Sequence, residues 1–109
     1  MNDGLKDKYR RTLIDILAAN PRVECVVLFG SRAMGTHRPE SDIDLALYGN
    51  ELTLDDLAKL KARIDETTIP QQVDLVLVKD VDNRALLAHI EKQGVKWFRR
   101  PPPWRRTTP

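Results

Sequence analysis

Three aspartates in two short apolar segments are the side chains whose type and spacing most suggest a reaction centre. Asp42 and Asp44 lie two positions apart in a segment of alternating polarity, so in a β-strand they project from one face, about 7 Å apart. The next residues on that face, Ala46 and Tyr48, are compatible with a site that is open to solvent. Asp74 interrupts a strongly apolar run, where an unpaired buried charge would be costly.

These three carboxylates converge if their two segments form neighbouring strands. Converging carboxylates repel one another and raise one another's pKa values unless a cation lies between them. Mg²⁺ is the expected cation, because it prefers oxygen ligands and is usually held by a few carboxylates together with substrate phosphates. Asp42, Asp44 and Asp74 are therefore the predicted catalytic residues and metal ligands, and the predicted reaction is phosphoryl or nucleotidyl transfer.

A second motif follows the first apolar run of the chain, at Phe29-Gly30-Ser31-Arg32. Glycine allows a ligand to approach the backbone closely, and a helix that begins near Ser31 would offer free N–H groups and a positive dipole end. Arg32 adds a charge suited to phosphate. Gly30, Ser31 and Arg32 are therefore the predicted phosphate-binding residues. The motif is not a P-loop, since the pattern Gly-x-x-x-x-Gly-Lys-Ser/Thr does not occur.

The elements that must position these residues follow from periodicity and from turn residues. Helical spacing predicts helices over 5–19 and 53–67, and a third helix that is capped by Asp82 and ends at Gly94. Apolar or alternating runs predict strands over 23–29, 42–48, 73–78 and 95–98, with a loop over 35–41. This order predicts an α/β (α+β) domain, with a single small mixed β-sheet flanked by helices.

Composition and charge bound the function. The 109 residues suit one domain, and the single cysteine, Cys25, is expected to pack in the core and fits a reducing cytoplasm. No run approaches the roughly 20 apolar residues that span a bilayer, so we expect no membrane partner. Residues 95–109 carry five positive charges, which leaves −3 on the other 94 residues when the net charge is +2. That split argues against direct binding of duplex nucleic acid. We predict a domain over 1–98 and a disordered, basic, proline-rich tail over 99–109.

The two motifs together resemble a known signature. Gly30-Ser31, ten further residues and then Asp42-Ile43-Asp44 resemble the DNA polymerase β-type nucleotidyltransferase superfamily, and Asp74 resembles its third aspartate. Within that superfamily the chain is most similar to the minimal nucleotidyltransferases (MNT), the antitoxin halves of HEPN/MNT toxin–antitoxin pairs. The similarity covers roughly residues 5–98 and implies the palm fold of polymerase β.

The resemblance also implies roles. Gly30 and Ser31 would hold the β- and γ-phosphates of ATP, Asp42 and Asp44 would bind Mg²⁺, and Asp74 would orient or deprotonate an acceptor hydroxyl. It implies transfer of AMP to a tyrosine of a HEPN toxin, within a hetero-oligomer of the two proteins. The short chain fits this, since it leaves no room for a domain that holds a small acceptor.

Two alternatives stay open: an antitoxin that neutralises its partner by binding alone, and transfer to a small molecule. The intact aspartate trio favours the enzyme, since a pure binder has no need of three mutually repelling carboxylates. His37 is expected to be solvated, and His89 to be a surface or interface residue rather than a metal ligand.

Overall fold

The computed structural model describes residues 3–101 and contains one four-stranded mixed sheet. The elements in chain order are α1 (Asp7–Ala18), β1 (Cys25–Phe29), α2 (Ser31–Met34), β2 (Ile43–Tyr48), α3 (Leu54–Asp65), β3 (Val73–Leu77), a single 3₁₀ turn (Val78–Asp80), α4 (Arg84–Gln93) and β4 (Val95–Arg99). The strand order is β3-β2-β1-β4, in which β1 is antiparallel to both neighbours and β2 is parallel to β3. The predicted fold class is confirmed.

Helices cover both faces of this sheet because alternate strand residues are apolar on each side. Val26 and Leu45 point toward α1 and α3, in a cluster that includes Leu17 and Leu60. Helix α4 packs against the opposite face of the sheet. There, the smaller buried cluster consists of Val27, Phe29, Ala46 and Ile90. Ala46, whose small side chain was compatible with a site open to solvent, is instead fully buried in this cluster beside Ile90 of α4.

Helix α4 begins one residue later than predicted. The capping side chain is Asn83, whose Oδ1 accepts a hydrogen bond from the backbone N–H of Leu86 at 3.1 Å. Asp82 precedes it and is exposed. Asparagine and aspartate are about equally good N-caps, so the sequence did not distinguish the two neighbouring positions.

The fold extends beyond the predicted domain boundary at residue 98. Arg99 ends β4, and the backbone N–H of Arg100 donates to the carbonyl of Glu24 at 2.8 Å. The Arg100 guanidinium also donates to the carbonyls of Ala18, Val23 and Asn20. The rest of the predicted tail, 102–109, lies outside the described residues. Within residues 3–101, no helix combines the length and the apolar character needed to cross a bilayer.

Helix α3 begins with a capping box that makes one carboxylate unusually acidic. The Thr53 hydroxyl accepts from the Asp56 N–H, and the Asp56 carboxylate accepts from the Thr53 N–H, both at 3.0 Å. Arg22 reaches the same carboxylate at 3.1 Å. These bonds, that from the Thr53 amide above all, lower the pKa of Asp56 from its ordinary 3.8 to about 2.

Asp56→Asn should lower the melting temperature at pH 7, and its difference from wild type should shrink as the pH falls from 4 to 2. A carboxyl whose folded pKa is depressed stabilises the fold above its ordinary pKa and loses that effect as the pH falls through its folded pKa. Thermal melts across this range test the prediction. The neighbouring exposed Asp55, replaced by asparagine, is the control. A difference from wild type that does not depend on pH would contradict the assignment.

Candidate functional site

Two of the three predicted aspartates face each other across neighbouring strands. In the parallel register of β2 and β3, Asp44 lies directly opposite Asp74. Asp42 immediately precedes β2 and is exposed. Burial raises the pKa of Asp44 above its ordinary value, the negative charges of Asp74 and Asp42 raise it further, and the His89 ring opposes them. The three carboxylates therefore lie near enough to act on one another.

Asp74 is not in the buried environment that its apolar segment suggested. Its strand, β3, is an edge strand, and Asp74 itself is exposed. The cost of burying a charge therefore does not explain why an aspartate stands in this apolar segment. Its position opposite the half-buried Asp44 is the stronger indication of a function, because like charges directly opposite each other in a sheet are destabilising.

The aspartates supply the kind of ligands that Mg²⁺ binds. Among residues 3–101, no group of three or more His, Cys, Asp or Glu side chains is gathered tightly enough to enclose a metal ion. Mg²⁺ does not need such a cage, because it is commonly held by one or two carboxylates together with substrate phosphates. Burial raises the pKa of Asp44 most, and the repulsion from Asp74 and Asp42 that adds to it is what a bound cation would relieve. The residues present therefore fit this ion.

The Gly30-Ser31 turn lies against the aspartates, because Gly30 closely approaches the Asp44 side chain. Its backbone has φ 78° and ψ −157°, a region that is essentially restricted to glycine. A Cβ atom at this position would lie 2.3 Å from Oδ2 of Asp44. The backbone conformation therefore requires glycine, and any side chain at this position would have to displace the Asp44 carboxylate. The predicted phosphate-binding turn and the predicted metal-binding carboxylate meet at this point.

The turn continues directly into α2, with Ser31 as its first residue and Gly30 as its N-cap. The carbonyl of Gly30 accepts hydrogen bonds from the N–H groups of Ala33 and Met34 at 3.2 and 3.3 Å. The N–H groups of Ser31 and Arg32, as the first in the helix, have no intrahelical carbonyl to bind. The backbone therefore presents donors next to the carboxylates.

Arg32 does not take the predicted position at a phosphate. Its side chain is only 1% exposed. The guanidinium donates to four backbone carbonyls, which are those of Asp3 (2.8 Å), Ser41 (3.0 Å), Pro39 (3.1 Å) and Arg38 (3.3 Å). Arg32 thus fastens the loop that leads into Asp42 to the N-terminal segment. The sequence motif did not reveal this role, because the acceptors are carbonyls, which every residue carries.

His89, which was expected to be a surface or interface residue, is half-buried and contacts the Gly30-Ser31 turn. Its Nε2 accepts a hydrogen bond from the N–H of Gly30 at 2.9 Å, and its ring packs edge-on against Phe29. This bond uses the acceptor lone pair of Nε2. The two residues are separated by 59 positions, and no local pattern indicates the contact.

The remaining candidates lie in other surroundings. His37 is half-buried rather than solvated, and it packs so closely against Gly4 that a Cβ there would lie 2.3 Å from its Nε2. Cys25 is half-buried against the cluster under α4, and burial raises the pKa of its thiol.

Gly30→Ala should destabilise the protein and displace the Asp44 carboxylate. Forcing alanine into this backbone conformation costs about 1–3 kcal/mol, which corresponds to a fall of roughly 4–24 °C in melting temperature. We expect the variant to lose binding of ATP as well, measured by calorimetry in Mg²⁺.

The matched control is Gly35→Ala. Gly35 also has a positive φ (75°), but a Cβ at this position would have no neighbouring atom within 4 Å. The control should lose stability and keep ATP binding. Loss of ATP binding in both variants would show that general destabilisation, and not the contact with Asp44, is responsible.

Comparisons with known proteins agree with this geometry. The family model described as polymerase beta, nucleotidyltransferase matches residues 11–102, whereas no curated protein matches the chain. A chain in a crystal structure of a toxin–antitoxin with AMP-PNP is 26% identical with a TM-score of 0.70, and the match covers 84% of this chain and 73% of that one.

Two further solved structures share the fold at lower identity. A chain in the complex of a tri-AMPylated Shewanella oneidensis HEPN toxin with its MNT antitoxin is 21% identical, with a TM-score of 0.67 and coverage of 88% and 74%. A chain of the MntA-HepT toxin–antitoxin is 22% identical, with a TM-score of 0.67 and coverage of 87% and 74%. The family match confirms the predicted enzyme class. Because the family model spans most of its length, the chain belongs to the polymerase β nucleotidyltransferase family.

Proposed function

We propose that this chain is a Mg²⁺-dependent adenylyltransferase that transfers AMP from ATP to a hydroxyl of a partner protein. The observation that carries the proposal is the contact between Gly30 and the Asp44 carboxylate, which unites a phosphate-binding turn with a metal-binding group. Family membership supports the reaction class. The acceptor and the nucleotide are the parts that experiment must establish.

Each motif has one task in this reaction. The Gly30-Ser31 turn binds the β- and γ-phosphates through the Ser31 hydroxyl and the first N–H groups of α2. Asp42 and Asp44 would hold Mg²⁺, with Asp74 as the third predicted ligand. When bound, the ion would neutralise the negative charge that develops on the phosphates.

Asp74 is the residue best placed to meet the acceptor, because it is exposed on an edge strand. The acceptor oxygen attacks the α-phosphorus, the bond to the bridging oxygen breaks, and pyrophosphate leaves. The hydroxyl proton passes to the Asp74 carboxylate. An exposed base on an edge strand suits a hydroxyl delivered by another protein.

The proposed acceptor is a tyrosine of a HEPN-domain toxin, with which the chain would form a hetero-oligomer and act as the antitoxin. Two similar structures support this: one is a toxin–antitoxin that contains AMP-PNP, and the other contains a tri-AMPylated HEPN toxin with an MNT antitoxin. The cytoplasm, which holds ATP and Mg²⁺, is the proposed location.

The test is a transfer assay with two differently labelled nucleotides. Purified chain, Mg²⁺ and a purified HEPN-domain protein are incubated with ATP labelled at either the α- or the γ-phosphate. Label from the α-phosphate alone, retained on the HEPN protein, is the expected result for AMP transfer. Label from the γ-phosphate would indicate a kinase reaction. A stable complex without label would favour neutralisation by binding alone.

A further inference from the structure

We propose that His89 is a positioning residue, which holds the Gly30-Ser31 turn in the conformation that binds the nucleotide phosphates. The inference rests on the proposed function of that turn. His89 lies on α4, an element to which neither motif belongs. Its Nε2 accepts the Gly30 N–H at 2.9 Å, and this contact is a direct link from α4 to the turn.

Gly30 needs such a restraint because glycine has the widest choice of backbone conformations. In the structure it is held from both sides: His89 binds its N–H, and the first turn of α2 binds its carbonyl. Fixing one residue in a single backbone conformation costs about 1–2 kcal/mol of entropy. The hydrogen bond to His89 offsets part of that cost before the nucleotide arrives.

The orientation of Gly30 determines where the next donor points. A trans peptide directs its C=O and N–H to opposite sides. Since the Gly30 carbonyl points into α2, the Ser31 N–H points away from that helix and toward its N-terminal side. A rotation of the Gly30–Ser31 peptide would redirect this donor, which lies beside the Asp44 carboxylate.

The geometry favours positioning over direct participation. The lone pair of Nε2 is engaged by Gly30 and cannot bind a metal ion while that bond exists. The ring is further fixed by its edge-on contact with Phe29, at 6.1 Å between centroids and an interplanar angle of 76°. His89 thus contacts the end of β1 at two points, the Phe29 ring and the Gly30 N–H, and this arrangement is suited to orienting the strand end.

Two substitutions at this position separate the hydrogen bond from the packing. His89→Gln keeps an acceptor, because the amide oxygen of glutamine reaches about where Nε2 lies. His89→Leu keeps the apolar contact with Phe29 and removes the acceptor. The exposed Lys92, replaced by glutamine on the same helix, is the control.

We expect His89→Leu to raise the KM for ATP about threefold to tenfold, which is the range for one neutral hydrogen bond. The kcat should change by less than about twofold, because bound ATP selects the competent conformation and only its population in the free protein falls. His89→Gln and the Lys92 control should stay close to wild type. Equal KM values for the leucine and glutamine variants would overturn the proposal.

Hydrogen exchange of the Gly30 amide gives a readout that does not depend on catalysis. In ¹⁵N-labelled protein we expect this amide to exchange slowly in wild type and His89→Gln, and at least about ten times faster in His89→Leu. If wild type transferred no AMP while this pattern held, the proposed function would fail and the positioning bond would stand. Unchanged exchange in His89→Leu, with melting temperatures near wild type, would overturn the bond itself.

Discussion

Replacing Asp44 by asparagine should remove AMP transfer and, in metal-free buffer, make the protein more stable. Asparagine keeps the size and most of the shape of the side chain, so the change removes one charge with little effect on packing. Loss of a group that acts on charge at a reacting phosphate typically costs about 10²–10³-fold in rate. We expect at least this loss, measured as label transferred from the α-phosphate of ATP.

The gain in stability follows from the surroundings of Asp44. Burial, followed by the charges of Asp74 and Asp42, raises its pKa in the folded state. Ionised Asp44 therefore opposes folding. Like charges directly opposite in a sheet are destabilising; at the magnitude of exposed charge pairs, about 0.2–1 kcal/mol, the variant should melt about 1–8 °C higher at pH 7.

The difference in melting temperature between Asp44→Asn and wild type should increase as the pH rises. Below the ordinary carboxyl pKa of 3.8, Asp44 is protonated in both the folded and the unfolded state, and its charge no longer matters. The advantage of the variant should therefore be small near pH 3 and should grow as the pH rises above 4. Thermal melts in a chelator between pH 3 and 8 measure it, with the exposed Asp82 replaced by asparagine as the control.

Adding Mg²⁺ and ATP should make wild type melt at a higher temperature than Asp44→Asn, which is the reverse of their order in metal-free buffer. A ligand that binds only the folded state at a hundred times its dissociation constant stabilises it by about 2.7 kcal/mol. Wild type should gain this stabilisation, and Asp44→Asn should gain much less of it. Equal shifts in both proteins would place the nucleotide away from Asp44 and would remove the proposed site.

The fold was largely predictable because its signals are local, and so was the proximity of Asp44 and Asp74, whose role as a site stays a prediction. The alternation around Asp44 and the apolar run around Asp74 are each contained within six or seven residues, and strand neighbours follow from element order. The parallel pairing that places Asp44 opposite Asp74 turned two local patterns into one site. Even so, the exposure of Asp74 depends on its strand being at the edge of the sheet, which local polarity did not show.

The parts that the sequence did not predict depend on contacts between distant residues. By local polarity, Ala46 was compatible with an open face. In the structure it is buried beside Ile90 of α4, some forty residues later in the chain. His89 reaches Gly30 across 59 positions. Neither contact leaves a periodic pattern, because a single hydrogen bond or a single covered alanine can be supplied from many places along a chain.

Arg32→Met provides the second large effect, and it tests the role that the structure gives to this residue. Methionine approximates the length of the arginine stem and fills apolar space but has no donors. Four backbone carbonyls would lose their partner. A buried acceptor left without a partner costs about 1–3 kcal/mol. Since three of these contacts are only partly buried and the loop can open to water, we expect a total below the sum for four buried acceptors, about 3 kcal/mol, and a melting temperature roughly 12–24 °C lower.

The control for this experiment is Arg38→Met, in the same loop, where the side chain is exposed and the expected change is small. Melting curves recorded without nucleotide decide between the two roles of Arg32. A guanidinium that binds phosphate would leave the stability of the nucleotide-free protein nearly unchanged when removed and would reduce only the affinity for ATP. A guanidinium that organises the loop before Asp42 would lower the melting temperature whether or not ATP is present. Wild-type stability in Arg32→Met would therefore support the phosphate-binding role of Arg32. A large loss of stability would instead show that Arg32 joins the two motifs structurally.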